Sequence, residues 1–154
     1  MLRKRVITVL TFNDGVLFRT KLFQPDYRYT LSFVDSWSVD EIVVLDVTRP
    51  GQGDRNNFYR VVTEFAGRCF VPLAAGGGIR NLSDVQTLLR VGADKVVVNT
   101  GALEHPELIT EIAEQFGSQC VILSIDAKEN TSGVYEGYSQ FGTEATGRHP
   151  VGWA

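Results

Sequence analysis

Residues 71–78 read Val-Pro-Leu-Ala-Ala-Gly-Gly-Gly, an apolar run that ends in three glycines. Four other apolar runs also end in a polar or glycine-containing cluster, and helix-like segments separate them. The five predicted strands are Arg5–Leu10, Glu41–Val47, Val71–Gly78, Lys95–Thr100 and Cys120–Asp126. Predicted strands that alternate with helix-like segments are typical of consecutive parallel βα units. The sequence therefore predicts an α/β fold with a parallel sheet.

The length of the chain limits how much of a barrel it can form. A complete (β/α)8 (TIM) barrel needs about 250 residues, whereas this chain has 154. We expect a single (β/α) half-barrel domain over residues 1–154, which is a partial (β/α)8 barrel truncated after its fifth strand. Exposed strand edges and an exposed apolar face favour association, so we expect a homo-oligomer that completes the barrel. A flavodoxin-like open sheet stays open as an alternative, because the same units also build doubly wound folds.

Composition and charge exclude several classes of protein. The net charge is −3 and the basic residues are dispersed, whereas a nucleic-acid-binding surface needs clustered Lys and Arg. No apolar run reaches the roughly 18 residues of a membrane helix, and no signal peptide is recognisable. Cys69 and Cys120 lie in or beside predicted strands, which indicates buried thiols in a reducing compartment. We therefore expect a cytoplasmic protein with no nucleic-acid or membrane partner.

Helical periodicity lies between the predicted strands. It predicts one helix over Asn57–Ala66, one after Ser83 and one after Pro106, and a weaker amphipathic pattern covers Tyr29–Val39. The three clearer helices each end near a glycine, which is the residue that most often stops a helix; these are Gly67, Gly92 and Gly117.

Two further segments carry turn signals. Asn13-Asp14-Gly15 predicts a tight turn after the first strand, so that a hairpin follows it. Near the other end, Val134–Tyr138 is a candidate short strand, and Pro150 is typical of the first turn of a helix.

The carboxyl ends of the strands are where a barrel binds its ligands. Gly77 and Gly78 let the backbone approach a ligand closely, and their amides are suitable donors to a phosphate. Asn99 and Thr100 add a carboxamide and a hydroxyl at the end of the next strand. The two strand ends together predict a phosphate site, although barrel turns also need glycines for steric reasons alone.

Asp46 and Asp126 each end a strongly apolar strand. An unpaired carboxylate there is costly unless it faces water, a partner or a substrate, so both are candidates for a general acid or base. A cap or a structural hydrogen bond is the alternative for either one. No second catalytic group ends the first strand, where Thr11 stands.

Charged residues mark the opposite ends of three strands. Arg5, Glu41 and Lys95 all lie at amino-terminal strand ends, where charges usually form an ion-paired barrel bottom that contributes stability. His105 and His149 have no metal-ligand spacing to each other or to the cysteines, so we assign no metal.

These residues together resemble the cyclase (synthase) subunit of imidazole glycerol phosphate synthase, a barrel of histidine biosynthesis that works with a glutaminase. The resemblance covers about residues 1–128, and residues 146–153 resemble the continuation of the family. Its motifs are Met1–Ile7, Asp40–Asp46, Gly76–Ile79, Gly92–Val96, Val98–Thr100, Phe116–Gln119 and Ser124–Lys128.

The resemblance implies roles for individual residues. Asp126 matches one of the two catalytic aspartates of the family, and Gly78, Asn99 and Thr100 match positions that bind one of the two phosphates of the substrate. The remaining matches lie at the bottom of the barrel: Arg5, Glu41 and Lys95 match members of a charged gate through which ammonia enters, and Asp94 matches a contact to the glutaminase.

Two positions depart from the family pattern. The other catalytic aspartate falls on Thr11, whose hydroxyl cannot replace a carboxylate as general acid or base at neutral pH. Arg19 stands where the family has a loop lysine, and Arg does not release a proton as Lys does. Loss of the first aspartate, with residues 23–27 in the first loop, is similar to a paralogous branch linked to the amidation of surface-polysaccharide sugars.

The resemblance therefore implies an ammonia-dependent lyase and cyclase barrel that retains one phosphate site. We expect catalytic impairment, because Thr11 replaces an aspartate and the second half of the barrel is missing; whether the chain is an enzyme is left open. The alternatives are a non-catalytic half-barrel interaction module and an ammonia-supplying subunit for sugar amidation. The expected partners are a phosphorylated small molecule, a second copy of the chain and a glutaminase, and no cofactor is expected.

Overall fold

The computed structural model describes residues 4–21, 24–29 and 39–154, with the backbone alone at 19–21 and 24–29. Its strands are β1 (Ile7–Asn13), β2 (Val16–Lys21), β3 (Gln24–Tyr29), β4 (Glu41–Asp46), β5 (Leu73–Gly76), β6 (Lys95–Val98), β7 (Val121–Leu123), β8 (Asp126–Glu129), β9 (Tyr135–Ser139) and β10 (Glu144–Ala145). The first seven form one sheet in the order β3-β2-β1-β4-β5-β6-β7. From β1 through β7 in this order all neighbours are parallel, whereas β2 and β3 add an antiparallel meander.

The sheet has two unlike faces, because successive side chains of a strand point to opposite sides. On one face Leu10 and Phe12 of β1 are each 1% exposed, and Phe12 packs against Phe58 with ring centroids 5.5 Å apart. On the other face Ile7 and Val9 are 44% and 51% exposed. The core therefore lies on a single side of the parallel strands.

Helices cover the buried face. They are α1 (Arg55–Arg68), α2 (Leu82–Arg90), α3 (Thr100–Glu104), α4 (Glu107–Phe116) and α5 (Pro150–Trp153). Asp54 caps α1 by accepting from the backbone N–H of Asn56, and Asn81 and Asp84 form a capping box at the start of α2. The three clearer helices predicted from periodicity are confirmed as α1, α2 and α4.

One predicted helix stop is wrong. Helix α1 continues through Gly67 to Arg68, and the chain becomes extended at Cys69. A glycine in the last turn costs only about 1 kcal/mol, which the packing of Phe65 and Val62 in the core offsets. At Gly92 and Gly117 the backbone does take positive φ, at 111° and 95°, directly after α2 and α4.

The turn predicted after the first strand is confirmed. Asp14 and Gly15 have φ of 39° and 91°, and they join β1 to β2. The first strand itself is displaced from the predicted Arg5–Leu10, because the hairpin prolongs the pairing: Thr11 lies opposite Phe18. Most of the predicted helix Tyr29–Val39 falls on residues 30–38, which lie outside the described part of the chain.

The fifth predicted strand, Cys120–Asp126, is longer than the strand in the structure. Cys120 ends a short 3-10 helix, and only Val121–Leu123 pair with β6. Asp126 instead begins β8, which pairs antiparallel with β9 in a separate three-stranded sheet of order β10-β9-β8. The predicted short strand near Val134–Tyr138 and the helix opened by Pro150 are confirmed as β9 and α5.

The α/β fold with a mostly parallel sheet is confirmed. The five parallel strands follow one another in chain order, as they do in a barrel, and the order does not reverse as it does in the flavodoxin-like alternative. Over the described residues the sheet is not closed, since β3 and β7 form its two edges. This arrangement is consistent with a barrel family and brings five strand ends to each edge of the parallel region.

Candidate functional site

Two glycine-rich strand ends meet at the carboxyl edge of the sheet. Gly77 and Gly78 follow β5 with φ of 104° and 63°, a backbone conformation that residues other than glycine rarely adopt. Asn99 follows β6, and Thr100 is the first residue of α3. A Cβ built on Gly101 would fall on the carbonyl oxygen of Ile79. The turn after β5 therefore touches the segment after β6, and the predicted phosphate-site residues lie on adjacent connections.

Asp126 lies beside this edge and contacts Asn99. Burial raises the pKa of Asp126 above its ordinary value, whereas the hydrogen bond from the Asn99 side chain and the positive charge of Lys128 act to lower the pKa. The Lys128 ammonium lies 4.5 Å from the ring centroid of Tyr138 and donates to the carbonyl of Gly142. Asp126 is therefore a half-buried carboxyl that holds its proton to a higher pH than a solvated aspartate does.

The Asn99 side chain is only partly engaged by the protein. Its Oδ1 atom is buried and has no hydrogen-bond partner among the described residues. Buried polar atoms without partners are rare, because each costs the free energy of its lost contact with water. Only a hydrogen-bond donor, from a ligand or a water, would satisfy that oxygen.

Asp46 ends β4 and has two partners within the protein. Its Oδ1 accepts from the backbone N–H of Thr48 at 3.0 Å, and its Oδ2 lies 3.8 Å from Nη1 of Arg55. The carboxylate is buried. These contacts correspond to the structural role that the sequence left open beside the acid–base role.

Thr11 is committed to the hairpin. Its hydroxyl donates to the backbone carbonyl of Phe18 at 2.5 Å, and the side chain is buried. Arg19 follows in β2, and its side chain lies outside the described part of the structure. Near the end of β1 the chain thus presents a hydrogen-bonded hydroxyl where the resembled family has a carboxylate.

The amino edge of the sheet carries a compact ion-pair cluster. The Glu41 side chain is 3% exposed and receives Lys95 Nζ at 2.8 Å and Arg5 Nη1 at 3.2 Å. Asp94 lies nearby, and its carboxylate accepts from the backbone N–H of Leu73 at 2.8 Å. The structure brings the first three residues together, and Asp94 also has a local structural partner at the start of β5.

Arg55 is a site residue that the sequence analysis missed. Its Nη2 donates to the carbonyl of Gly77 at 2.7 Å, and its Nε donates to the hydroxyl of Tyr59 at 2.9 Å. Arg55 opens α1 two residues before the predicted helix start, where an arginine has no distinctive meaning in the sequence. The Asp54 cap was the one available signal, because it places Arg55 in the first turn above the strand ends.

Two structural absences apply to the described ranges. In residues 4–21, 24–29 and 39–154, no group of three or more His, Cys, Asp or Glu residues is arranged to hold a metal ion. In the same ranges, no helix is long and apolar enough to cross a membrane. The side chains of Cys69 and Cys120 are half-buried, whereas the sequence predicted buried thiols.

Comparisons with known proteins point to one family. The family described as "Histidine biosynthesis protein" matches residues 8–154. Imidazole glycerol phosphate synthase subunit HisF from Dictyoglomus thermophilum is 50% identical over 152 residues, which are 96% of this chain and 60% of that relative. The same subunit from Streptomyces griseus is 41% identical over 155 residues, 97% of this chain and 61% of the relative. The chain thus spans about three fifths of the length of the curated relatives it matches.

Proposed function

This chain belongs to the histidine biosynthesis protein family, and on that premise we propose that it is a cyclase-subunit-like protein of the imidazole glycerol phosphate synthase type. It binds one phosphate of a phosphorylated sugar derivative at Gly77, Gly78, Asn99 and Thr100. The observation that carries the proposal is the contact between the turn after β5 and the start of α3. That contact gathers backbone amides, a carboxamide and a hydroxyl beside the same ligand space.

In this proposal Asp126 supplies the acid–base chemistry. A carboxyl with a raised pKa is better placed to hold and transfer a proton near neutral pH than a solvated one. Asn99 orients the carboxyl through its side-chain hydrogen bond. The reaction of the relatives' type joins ammonia to a phosphoribosyl-type substrate with lyase and cyclisation steps, and Asp126 is the carboxyl that we assign to its proton transfers.

Thr11 favours reduced or altered cyclisation. The Thr11 hydroxyl does not ionise at neutral pH. It is also already engaged, because it donates a hydrogen bond to the backbone carbonyl of Phe18. This observation supports the second candidate, a subunit that helps supply ammonia to sugar amidation in polysaccharide biosynthesis. Both candidates keep the phosphate site and differ in whether this chain completes the cyclisation.

The amino edge is proposed as the face toward a glutaminase. The strand ends opposite the phosphate site carry the ion-pair cluster of Arg5, Glu41 and Lys95, and Asp94 lies beside it. Ammonia released there has to pass these charges to reach the other edge. If this face binds a glutaminase while the opposite edge binds no ligand, the chain is a non-catalytic interaction module instead.

A second copy of the chain is the proposed cover for the exposed sheet face. Ile7 and Val9 leave about half of their surface in water on that face, and the sheet has free edges over the described residues. Apolar surface and unpaired edges both favour association. We therefore propose that the chain works as a half-barrel within a homo-oligomer.

The phosphate site is tested by titration calorimetry with ribose 5-phosphate, using ribose as the ligand that lacks phosphate. We expect wild type to bind the phosphate ester and not ribose, and we expect Asn99→Ala with Thr100→Ala to weaken binding about tenfold or more. The control is Asn57→Ala with Thr63→Ala on α1, which removes the same groups elsewhere. Equal affinity of the two double variants for ribose 5-phosphate would reject the site. Light scattering on the same samples reports whether the binding species is an oligomer.

A further inference from the structure

Arg55 is held in one orientation over the turn that follows β5. Its guanidinium donates to the carbonyl of Gly77 and to the hydroxyl of Tyr59, and it lies 3.8 Å from the carboxylate of Asp46. A planar guanidinium with partners on three sides has little freedom to rotate. The direction of its remaining donors is therefore set by the fold.

Gly78 lies directly under this guanidinium. A Cβ built on Gly78 would come within 2.5 Å of Arg55 Nη1, so any larger residue would displace the arginine. The φ of 63° at Gly78 is the second reason for a glycine at this position. Arg55 and the glycine turn are thus packed as one unit.

Holding one side of a peptide bond sets the direction of the other side. The carbonyl of Gly77 and the N–H of Gly78 belong to the same planar trans peptide and point in opposite directions. Because Arg55 Nη2 binds that carbonyl at 2.7 Å, the N–H of Gly78 points away from the Arg55 guanidinium. No acceptor in the described part of the chain binds this N–H, and Gly78 is exposed.

Arg55 also keeps a donor unused. The distance from Nη1 to Asp46 Oδ2 is too long for a hydrogen bond, and the Arg55 side chain is 33% exposed. Hydrogen bonds from a charged donor to an anion are about twice as strong as those between neutral groups. The other groups of the candidate phosphate site are neutral, whereas Arg55 places a positive charge on the carbonyl side of the Gly77–Gly78 peptide.

We propose that Arg55 is a positioning residue of the phosphate site, which holds the Gly77–Gly78 peptide so that the N–H of Gly78 faces the ligand. The inference rests on the proposed function, because it concerns the same site. It extends the site from the ends of β5 and β6 to the first turn of α1. The ligand class is a phosphate monoester, as the combination of a free backbone amide with carboxamide and hydroxyl donors indicates.

The test compares Arg55→Lys and Arg55→Met with Arg60→Met, which removes the same charge from an exposed position of the same helix. Ribose 5-phosphate affinity is measured by calorimetry, and the backbone amide of Gly78 is followed by ¹⁵N NMR as ligand is added. We expect Arg55→Met to lose about 10- to 100-fold in affinity and Arg55→Lys to lose part of this. In both variants the ligand-induced shift of the Gly78 amide should shrink, whereas Arg60→Met should behave as wild type.

The outcomes separate this inference from the proposed function. If wild type binds no phosphate ester, the proposed function fails. If wild type binds and both Arg55 variants match Arg60→Met in affinity and in the Gly78 shift, the role of Arg55 is wrong and the phosphate site stands. Full rescue by Arg55→Lys would contradict the positioning role, because a single ammonium cannot replace the guanidinium fork. If the Arg55 variants do not fold, Tyr59→Phe replaces them, because it removes one hydrogen-bond partner of the guanidinium. We expect a smaller loss of ribose 5-phosphate affinity in this variant. An unchanged ligand-induced shift of the Gly78 amide would overturn the inference.

Discussion

The two edges of the parallel sheet carry polar residues in opposite states. At the amino edge, the buried carboxylate of Glu41 is paired with both Lys95 and Arg5. At the carboxyl edge, the buried Oδ1 of Asn99 has no partner among the described residues, and burial raises the pKa of the nearby Asp126. One edge is satisfied by the chain itself, and the other leaves hydrogen-bonding capacity unused.

The difference indicates which edge is built for stability and which for a ligand. Pairing offsets the desolvation cost of a buried charge, and removing one partner leaves the other charge uncompensated, which is costly. An unpartnered polar atom and a desolvated carboxyl both cost free energy in the absence of a ligand, which is typical of binding and catalytic positions.

The largest effect is expected from Gly77→Ala, which breaks the carboxyl edge. Gly77 has φ of 104°, and an added Cβ would fall on the backbone carbonyl of Asp46, so strain and overlap together should lower the free energy of unfolding by about 3–5 kcal/mol. The control Gly15→Ala has φ of 91° with nothing within 4 Å, and we expect a loss of about 1–2 kcal/mol from strain alone. Urea unfolding measures both, and equal losses would contradict the close approach.

An intermediate effect is expected from Glu41→Gln at the amino edge. The change leaves Lys95 and Arg5 without their counter-charge, but their side chains are 23% and 58% exposed and can turn to water. We therefore expect a loss of about 2 kcal/mol, which is below the cost of a fully buried pair. The matched variant Glu64→Gln, on the exposed surface of α1, should change stability by less than about 0.5 kcal/mol. If the two variants are equally stable, the amino edge does not depend on its ion pairs.

The smallest effect on the free energy of unfolding is expected from Asp126→Asn, and this effect depends on pH. Because burial raises the folded-state pKa of Asp126, its contribution to stability is fully present below the unfolded pKa and is lost as pH rises through the folded pKa. The neutral amide avoids this loss, so at pH 7 the variant should be more stable than wild type by less than about 1 kcal/mol. The advantage should vanish below about pH 4, near the unfolded pKa.

Thermal unfolding across pH measures this difference, with Glu129→Gln on the exposed side of β8 as the control. That control should follow wild type at every pH. An Asp126→Asn variant that is less stable than wild type at pH 7 would show that the neighbours of Asp126 stabilise its charged form, which would contradict a raised folded-state pKa.

The fold was predictable where hydrophobic periodicity was strong. Alternation of apolar strands with helices indicated the parallel sheet, and the cores of α1, α2 and α4 lie where their apolar residues predicted them. The failures came at ends of elements and in short strands that the sequence did not predict, such as β8 and β10. Pairing partners decide both: the hairpin shifts the bounds of β1, and Asp126 pairs opposite Tyr138 instead of ending β7. A single strand does not encode how far its neighbour will extend.

The candidate site was predictable in its residue types and not in its contacts. Glycines, Asn99 and the two aspartates stood at strand ends, and the resemblance implied which of them bind phosphate. The hydrogen bond of Thr11 and the three contacts of Arg55 join residues from different elements. Such contacts depend on how helices sit on the sheet, which local patterns do not specify.

The sequence by itself determined the alternation of the five parallel strands with helices and the family, because these follow from local periodicity and from motifs that lie within a few residues of each other. Only the tertiary structure decided which carboxylate is satisfied and which is not. Asp46 and Asp126 look alike in the sequence, yet one lies against a backbone N–H and Arg55, while the pKa of the other is raised by burial. The physical reason is that desolvation and pairing are properties of the surroundings in space, and residues distant along the chain provide them.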